Sequence, residues 1–149
     1  PWQLPFPMKP HEIIFSPDYS KYFVTCQDTN VNQVRVFNTS NDQLLQVIPV
    51  GKVPLELAVY EDGNLLFVAN TEDDFFPDMR GSISVIDLNT LTEIKKIKVG
   101  WQPHGIAIDP VFRLKSFTIT IYRTIDITQG DTGCNSTDGN QGIHTGGYI

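Results

Sequence analysis

Cysteine is nearly absent from this 149-residue chain, which has only Cys26 and Cys134. A disulfide-stapled scaffold needs more, and the two can equally form one bridge or stay as free thiols. No apolar run approaches the roughly 18 residues that span a bilayer, so no segment reads as a membrane helix. Basic residues are scarce as well: 11 Lys and Arg stand against 17 Asp and Glu, a net charge of −6 and a pI near 4.8. That balance excludes the basic footprint of a nucleic-acid binder. The densest basic cluster is Lys95, Lys96 and Lys98, and its alternation with Ile94, Ile97 and Val99 marks the solvated face of a strand. Paired-cysteine zinc spacing, haem-attachment spacing, a Gly-x-Ser-x-Gly elbow and a glycine-rich phosphate loop are all missing. Position 1 is not Met, and no charged-then-apolar leader follows it. The expectation is a removed leader or a start inside a longer protein.

What the chain has in quantity is punctuation. Ten Pro and eleven Gly interrupt it too often for long helices, while 40% hydrophobic and 19% charged residues are ordinary for a folded domain. An all-β fold is expected. The chain also repeats itself. Pro10-His11-Glu12-Ile13-Ile14-Phe15 aligns with Pro54-Leu55-Glu56-Leu57-Ala58-Val59, and again with Pro103-His104-Gly105-Ile106-Ala107-Ile108. Tyr22-Phe23-Val24-Thr25-Cys26 matches Leu66-Phe67-Val68-Ala69-Asn70, Val34-Arg35-Val36-Phe37-Asn38 matches Ile83-Ser84-Val85-Ile86-Asp87, and Val50-Gly51 matches Val99-Gly100. The period is 54 − 10 = 44, then 103 − 54 = 49, and the extra five residues fall between Thr71 and Gly81. Loops absorb length and strands do not, so one loop insertion suits a repeat architecture.

Four short strands fit each repeat: His11–Phe15, Lys21–Cys26, Gln33–Asn38 and Gln43–Val50, then Leu55–Tyr60, Leu65–Ala69, Ser82–Asp87 and Thr92–Val99. Asn38 and Asp87 close corresponding strands and are expected to form turns. Four strands per roughly 45 residues is the arithmetic of a β-propeller blade. The expected organisation is an N-terminal extension over 1–9 and blades over 10–51 and 52–100. A partial blade follows over 101–149, with Phe117–Tyr122 as its second strand, a loop over 126–146, and a further strand beginning at Gly147. A propeller closes with at least four blades. The chain is therefore expected to be a fragment of a larger propeller, its partners being the remaining blades, or to close with copies of itself.

Phe23-Val24-Thr25-Cys26 and Phe67-Val68-Ala69-Asn70 each follow a Pro-led strand and precede a Val-Ile-Asp-type strand and Val-Gly. In this the chain resembles the YVTN family of β-propeller repeats over Pro10 to Pro110. The resemblance implies an extracytoplasmic protein, periplasmic or at the cell surface. The repeat pattern and the lack of any catalytic set lead to the expectation of a non-catalytic binding or surface-scaffold module, with a protein or glycan as candidate ligand. Relatives of that family include the propeller domains of nitrous-oxide reductase and the cytochrome-type nitrite reductases. They supply the alternative: the propeller portion of a redox enzyme carrying copper or haem.

His11 and His104 occupy one repeat position, after the leading Pro, where the middle repeat has Leu55. First strands line the channel of a propeller, so these imidazoles are candidates for the channel mouth, as ligand-binding groups or as metal ligands. A strand-start histidine bonded to a neighbouring carbonyl is the plain reading, and two blades' separation predicts that the pair shares no ion. Cys134 and His144, with Asp131 and Asp138, form a second candidate for zinc or copper, though a structural zinc site uses four ligands. The insertion Thr71 to Asp78 carries Asp73 and Asp74, carboxylates suited to calcium. It also carries Phe75 and Phe76, which suit a protein or glycan contact or fold back on the neighbouring blade. No cofactor is expected under the binding-module reading. Asn38-Thr39-Ser40 and Asn135-Ser136-Thr137 match the N-glycosylation pattern, which is common by chance.

Overall fold

The computed structural model describes residues 9–28, 31–61, 64–72, 81–108, 116–123 and 143–148, the last two segments as strand backbones. They form eleven strands in three antiparallel sheets, with no helix among the described residues. Sheet 1 comprises β1 (Lys9–Phe15), β2 (Lys21–Asp28), β3 (Val31–Asn38) and β4 (Leu44–Pro49) in sequential order. Sheet 2 repeats the plan with β5 (Pro54–Tyr60), β6 (Leu65–Asn70), β7 (Ser82–Asp87) and β8 (Thr92–Lys98). Sheet 3 holds β9 (Pro103–Ile108), β10 (Ser116–Arg123) and β11 (Ile143–Tyr148). The all-β expectation of two whole four-stranded units and part of a third holds. The described sheets form an open series and do not close on themselves.

The third sheet requires one correction. β11 begins at Ile143, four residues before the strand start expected at Gly147, so the loop expected over 126–146 ends sooner. Its residues pair along β10 from Ile121↔Ile143 to Ser116↔Tyr148. Antiparallel pairing gives partners to the β11 backbone groups that face β10, and that outweighs the poor strand propensity of Gly146 and Gly147. Residues 126–142 of that loop lie outside the described residues.

Alternation decides what each sheet buries. Phe23, Val34, Val36 and Ile48 of sheet 1 interlock with Leu57, Leu66, Val68 and Ile86 of sheet 2. On the other face of sheet 2, Phe67, Ala69, Ile83 and Val85 meet Ile106 and Ile108 of sheet 3. Phe23 and Phe67 are fully buried at matching repeat positions, as their sequence context predicts.

The turns repeat as closely as the strands. Asn38 Oδ1 accepts from Ser40 N at 2.8 Å, and Asp87 Oδ1 accepts from Asn89 N at 2.7 Å. Four residues after each turn former, Asp42 and Leu91 adopt positive φ and donate their N–H back to the Asn38 and Asp87 carbonyls. Both are side-chain-capped turns, the role expected of Asn38 and Asp87.

Sheets 2 and 3 approach closely at Gly81. A Cβ there would lie 2.0 Å from Pro103 Cδ and 2.9 Å from the Asn70 carbonyl oxygen. The backbone is also clamped, with Gly81 N donating to Gly100 O and Val99 N donating to Gly81 O. Gly81→Ala should therefore cost about 1–3 kcal/mol through overpacking, and Phe67→Ala about 3–5 kcal/mol through the cavity it leaves. Denaturant midpoints at unchanged slope would measure both. A neutral Gly81→Ala would show that the sheet 2–sheet 3 contact yields freely.

Candidate ligand-binding site at the inner strands

Each sheet begins with the same irregularity. Along β1 the pairing advances from Pro10↔Cys26 to Ile13↔Val24, three residues on one strand against two on the other. β5 does the same between Pro54↔Asn70 and Leu57↔Val68, and β9 between Pro103↔Arg123 and Ile106↔Ile121. One extra residue makes a β-bulge, which re-aims the side chains around it. The bulges hold His11-Glu12, Leu55-Glu56 and His104-Gly105. Gly105 takes φ 98°, a conformation costly for any residue with a Cβ.

Because β1, β5 and β9 lie side by side, the bulges bring polar side chains from three sheets together. Glu56 Oε1 lies 3.9 Å from His11 Nδ1 and 4.0 Å from His104 Nδ1. All three are partly exposed, with side-chain accessibilities of 34% for His11, 24% for Glu56 and 49% for His104. A protonated imidazole on either side would form an ion pair with the same carboxylate. Bonds of about 2.0–2.2 Å to one ion would make donors this far apart subtend about 140°, far from tetrahedral. Among the described residues, no group of three or more His, Cys, Asp and Glu side chains can hold a metal ion.

Glu12 has a different task. Its carboxylate accepts the Leu57 N–H of sheet 2, and its own N–H donates to Thr25 Oγ1 at 2.9 Å. Thr25 Oγ1 in turn donates to the Leu55 carbonyl at 2.8 Å in a buried bond. Burial pushes the Glu12 carboxyl up from its ordinary value of 4.5, outweighing the Leu57 hydrogen bond that lowers it. Nearby Glu56 pushes it further up, and His11 lowers it.

At the opposite end, a groove of about 350 Å³ runs between the β1–β2 turn and the turns of sheet 2, lined by Ser16, Asp18, Lys21, Asn64 and Leu91 among others. Asp18 accepts from Ser16 Oγ at 2.6 Å and from Ser20 N and Oγ. These bonds hold its carboxyl far below the usual range, but they are spent inside its own turn.

Of the residues singled out by sequence, His11 and His104 thus converge on a shared carboxylate. His144 stands in β11, opposite Thr120 by backbone register. Asp73, Asp74, Phe75, Phe76, Asp131, Cys134 and Asp138 lie outside the described residues. Cys26 is a buried free thiol. Glu56 and Glu12 were not singled out, although a glutamate recurring two residues after the leading Pro was a visible signal.

Inner strands side by side and four-stranded antiparallel sheets stacked face to face define a β-propeller-like fold. Solved structures with this arrangement include Kuenenia stuttgartiensis hydrazine synthase, at 18% identity and a TM-score of 0.60 over 73% of this chain and 30% of that one. Another is the dihydro-heme d1 dehydrogenase NirN, at 21% and 0.54 over 75% of this chain and 23% of that one. A third is a putative 6-phosphogluconolactonase from Bacteroides uniformis, at 17% and 0.55 over 81% and 38%. Identities this low show the fold alone, and the chain spans less than two fifths of each of these proteins. No protein-family model and no curated protein matches the sequence.

Glu12→Gln tests the electrostatics of the inner strands. The amide keeps an acceptor for Leu57 N–H and removes the charge that burial disfavours. Because the folded carboxyl titrates above its unfolded value, its contribution is full below about pH 4.5 and is lost as pH rises through the folded value. As pH rises above about 4.5 the variant should therefore gain stability relative to the parent. Parallel stability curves for the two proteins would refute this assignment.

Proposed function

We propose that this chain is part of a non-catalytic binding or scaffold module, built of YVTN-type propeller repeats and working in the periplasm or at the cell surface. The observation that carries the reading is the His11–Glu56–His104 cluster. Three successive blades each contribute one partly exposed polar group to a single surface at the inner strands. Such a surface offers a carboxylate acceptor flanked by two imidazoles that donate or accept, which suits recognition of a polar ligand. Among the described residues Glu56 pairs only with the two imidazoles, whereas Asp18 is bonded within its own turn by Ser16 and Ser20. The repeat motifs around Phe23 and Phe67 support the YVTN assignment, and the location follows from that resemblance.

The rival is a propeller portion of a redox enzyme that carries copper or haem. Incubating the purified chain with Cu(II), Zn(II) or haem, followed by desalting, metal analysis and a visible spectrum, separates the two. The expected result is no stoichiometric metal and no chromophore, with His11 and His104 imidazole resonances unchanged. One equivalent of copper or haem retained by the parent and lost in His104→Ala would reverse the ranking.

A further inference from the structure

Spacing inside the His11–Glu56–His104 cluster narrows what it can hold. Both imidazoles turn Nδ1 toward one carboxylate oxygen, at 3.9 Å from His11 and 4.0 Å from His104. A direct hydrogen bond is no longer than about 3.2 Å, so the groups face one another across a gap. Among the described residues, no hydrogen bond ties any of the three side chains. A neutral imidazole with its proton on Nε2 offers Nδ1 as an acceptor. Three strands thus bring three acceptors together: Glu56 Oε1 and two Nδ1 atoms.

Size and charge select the partner. A metal ion at its short bond length sees each His–Glu pair at far too wide an angle. A nitrogen about 2.8 Å from each atom, the length of a charge-assisted N–H···O bond, sees the same pair at about 90°. Tetrahedral N–H directions then bend by only about 10° each, well within what a hydrogen bond tolerates. A primary ammonium has three N–H donors, one for each acceptor. With the imidazoles neutral, the charged groups here are carboxylates. Glu56 is one, and Glu12 lies close enough to couple electrostatically to both Glu56 and His11. Glu12 itself is committed to Leu57 N–H, so it adds field and no ligand atom. The chain as a whole carries −6. That balance draws a cation in and repels an anion.

From this we infer that the inner-strand cluster binds a primary ammonium group, with Glu56 as its charged acceptor and His11 and His104 as neutral acceptors from the adjoining sheets. A free alkylamine and a lysine side chain present the same group. The partial exposure of all three side chains leaves them reachable from solvent. This inference rests on the binding-module reading and gives that module's polar ligand a chemical class.

The test titrates the full chain with butylammonium, tetramethylammonium and butyrate while following the His11 and His104 imidazole resonances. It is run at about pH 8, where free imidazole is neutral and an alkylamine is still protonated. Butylammonium should shift both histidines along one saturable curve. Tetramethylammonium has the same charge and no N–H, and should shift neither at equal concentration. That contrast is read on the parent protein, so it does not depend on a variant folding. Glu56→Gln keeps the shape, removes the charge, and should weaken butylammonium by about tenfold or more. Comparing N-acetyl-lysinamide with butylammonium tells a lysine side chain from a free amine as the preferred source. No saturable shift with butylammonium, an equal response to tetramethylammonium, or tighter binding of butyrate would each overturn the proposal and leave the binding-module reading in place. Copper or haem retained at these histidines would remove both.

Discussion

A four-stranded sheet that is apolar on both faces cannot stand alone in water, and that constraint organises the molecule. Phe23, Val34 and Val36 on one sheet leave water only by meeting Leu57, Leu66 and Val68 on the next. Each side chain of this size contributes about 1.5–3 kcal/mol when fully buried. Sheet 2 is driven the same way on its far side, where Phe67 and Val85 meet Ile106 and Ile108. Stacking is thus forced from both directions, and it draws the first strands of successive sheets together. The polar cluster at the inner strands is a by-product of hydrophobic packing: no residue of it needs to attract its neighbours for the three to meet.

Much of this was legible because a repeat is a count, and counts survive divergence. The recurrence of Pro, Phe-Val and Val-Gly at 44- and 49-residue intervals marks out the strands of the first two sheets and the turns at Asn38 and Asp87. The bulges were not legible. A bulge spends one residue without adding a pair, so after Pro10, Pro54 or Pro103 the alternation no longer tells which way a side chain points. Glu56 was overlooked for that reason, since comparing like position with like directed attention to the two histidines and away from the residue between them. In the third sheet, β11 pairs through its backbone although its sequence, His144-Thr145-Gly146-Gly147, carries little strand propensity.

The neighbours in structure share the stacking but serve unlike chemistries, among them a hydrazine synthase and a putative lactonase. That spread is what the packing constraint leads one to expect. The hydrophobic faces are occupied by holding blades together, and only the bulged strand starts and the connecting turns remain free to vary. In this chain the two ends differ in kind. Asp18 is locked by Ser16 and Ser20, while Glu56 sits partly exposed between two imidazoles.

The connections between sheets carry a consequence of their own. Val53 and Gln102, each directly before a proline, are held at φ 51° and 43°, a region unfavourable for a β-branched residue and disfavoured again by the following ring. Such strain persists only while the surroundings enforce it, and here the enforcing groups come from both adjoining sheets: Asn32 Oδ1 grips Val53 N–H, and Thr71 N–H grips the Val53 carbonyl. When two sheets part, the linker relaxes to an ordinary conformation and opposes their return. The strained linker thus ties the conformation of each seam to the contact between the two sheets it joins.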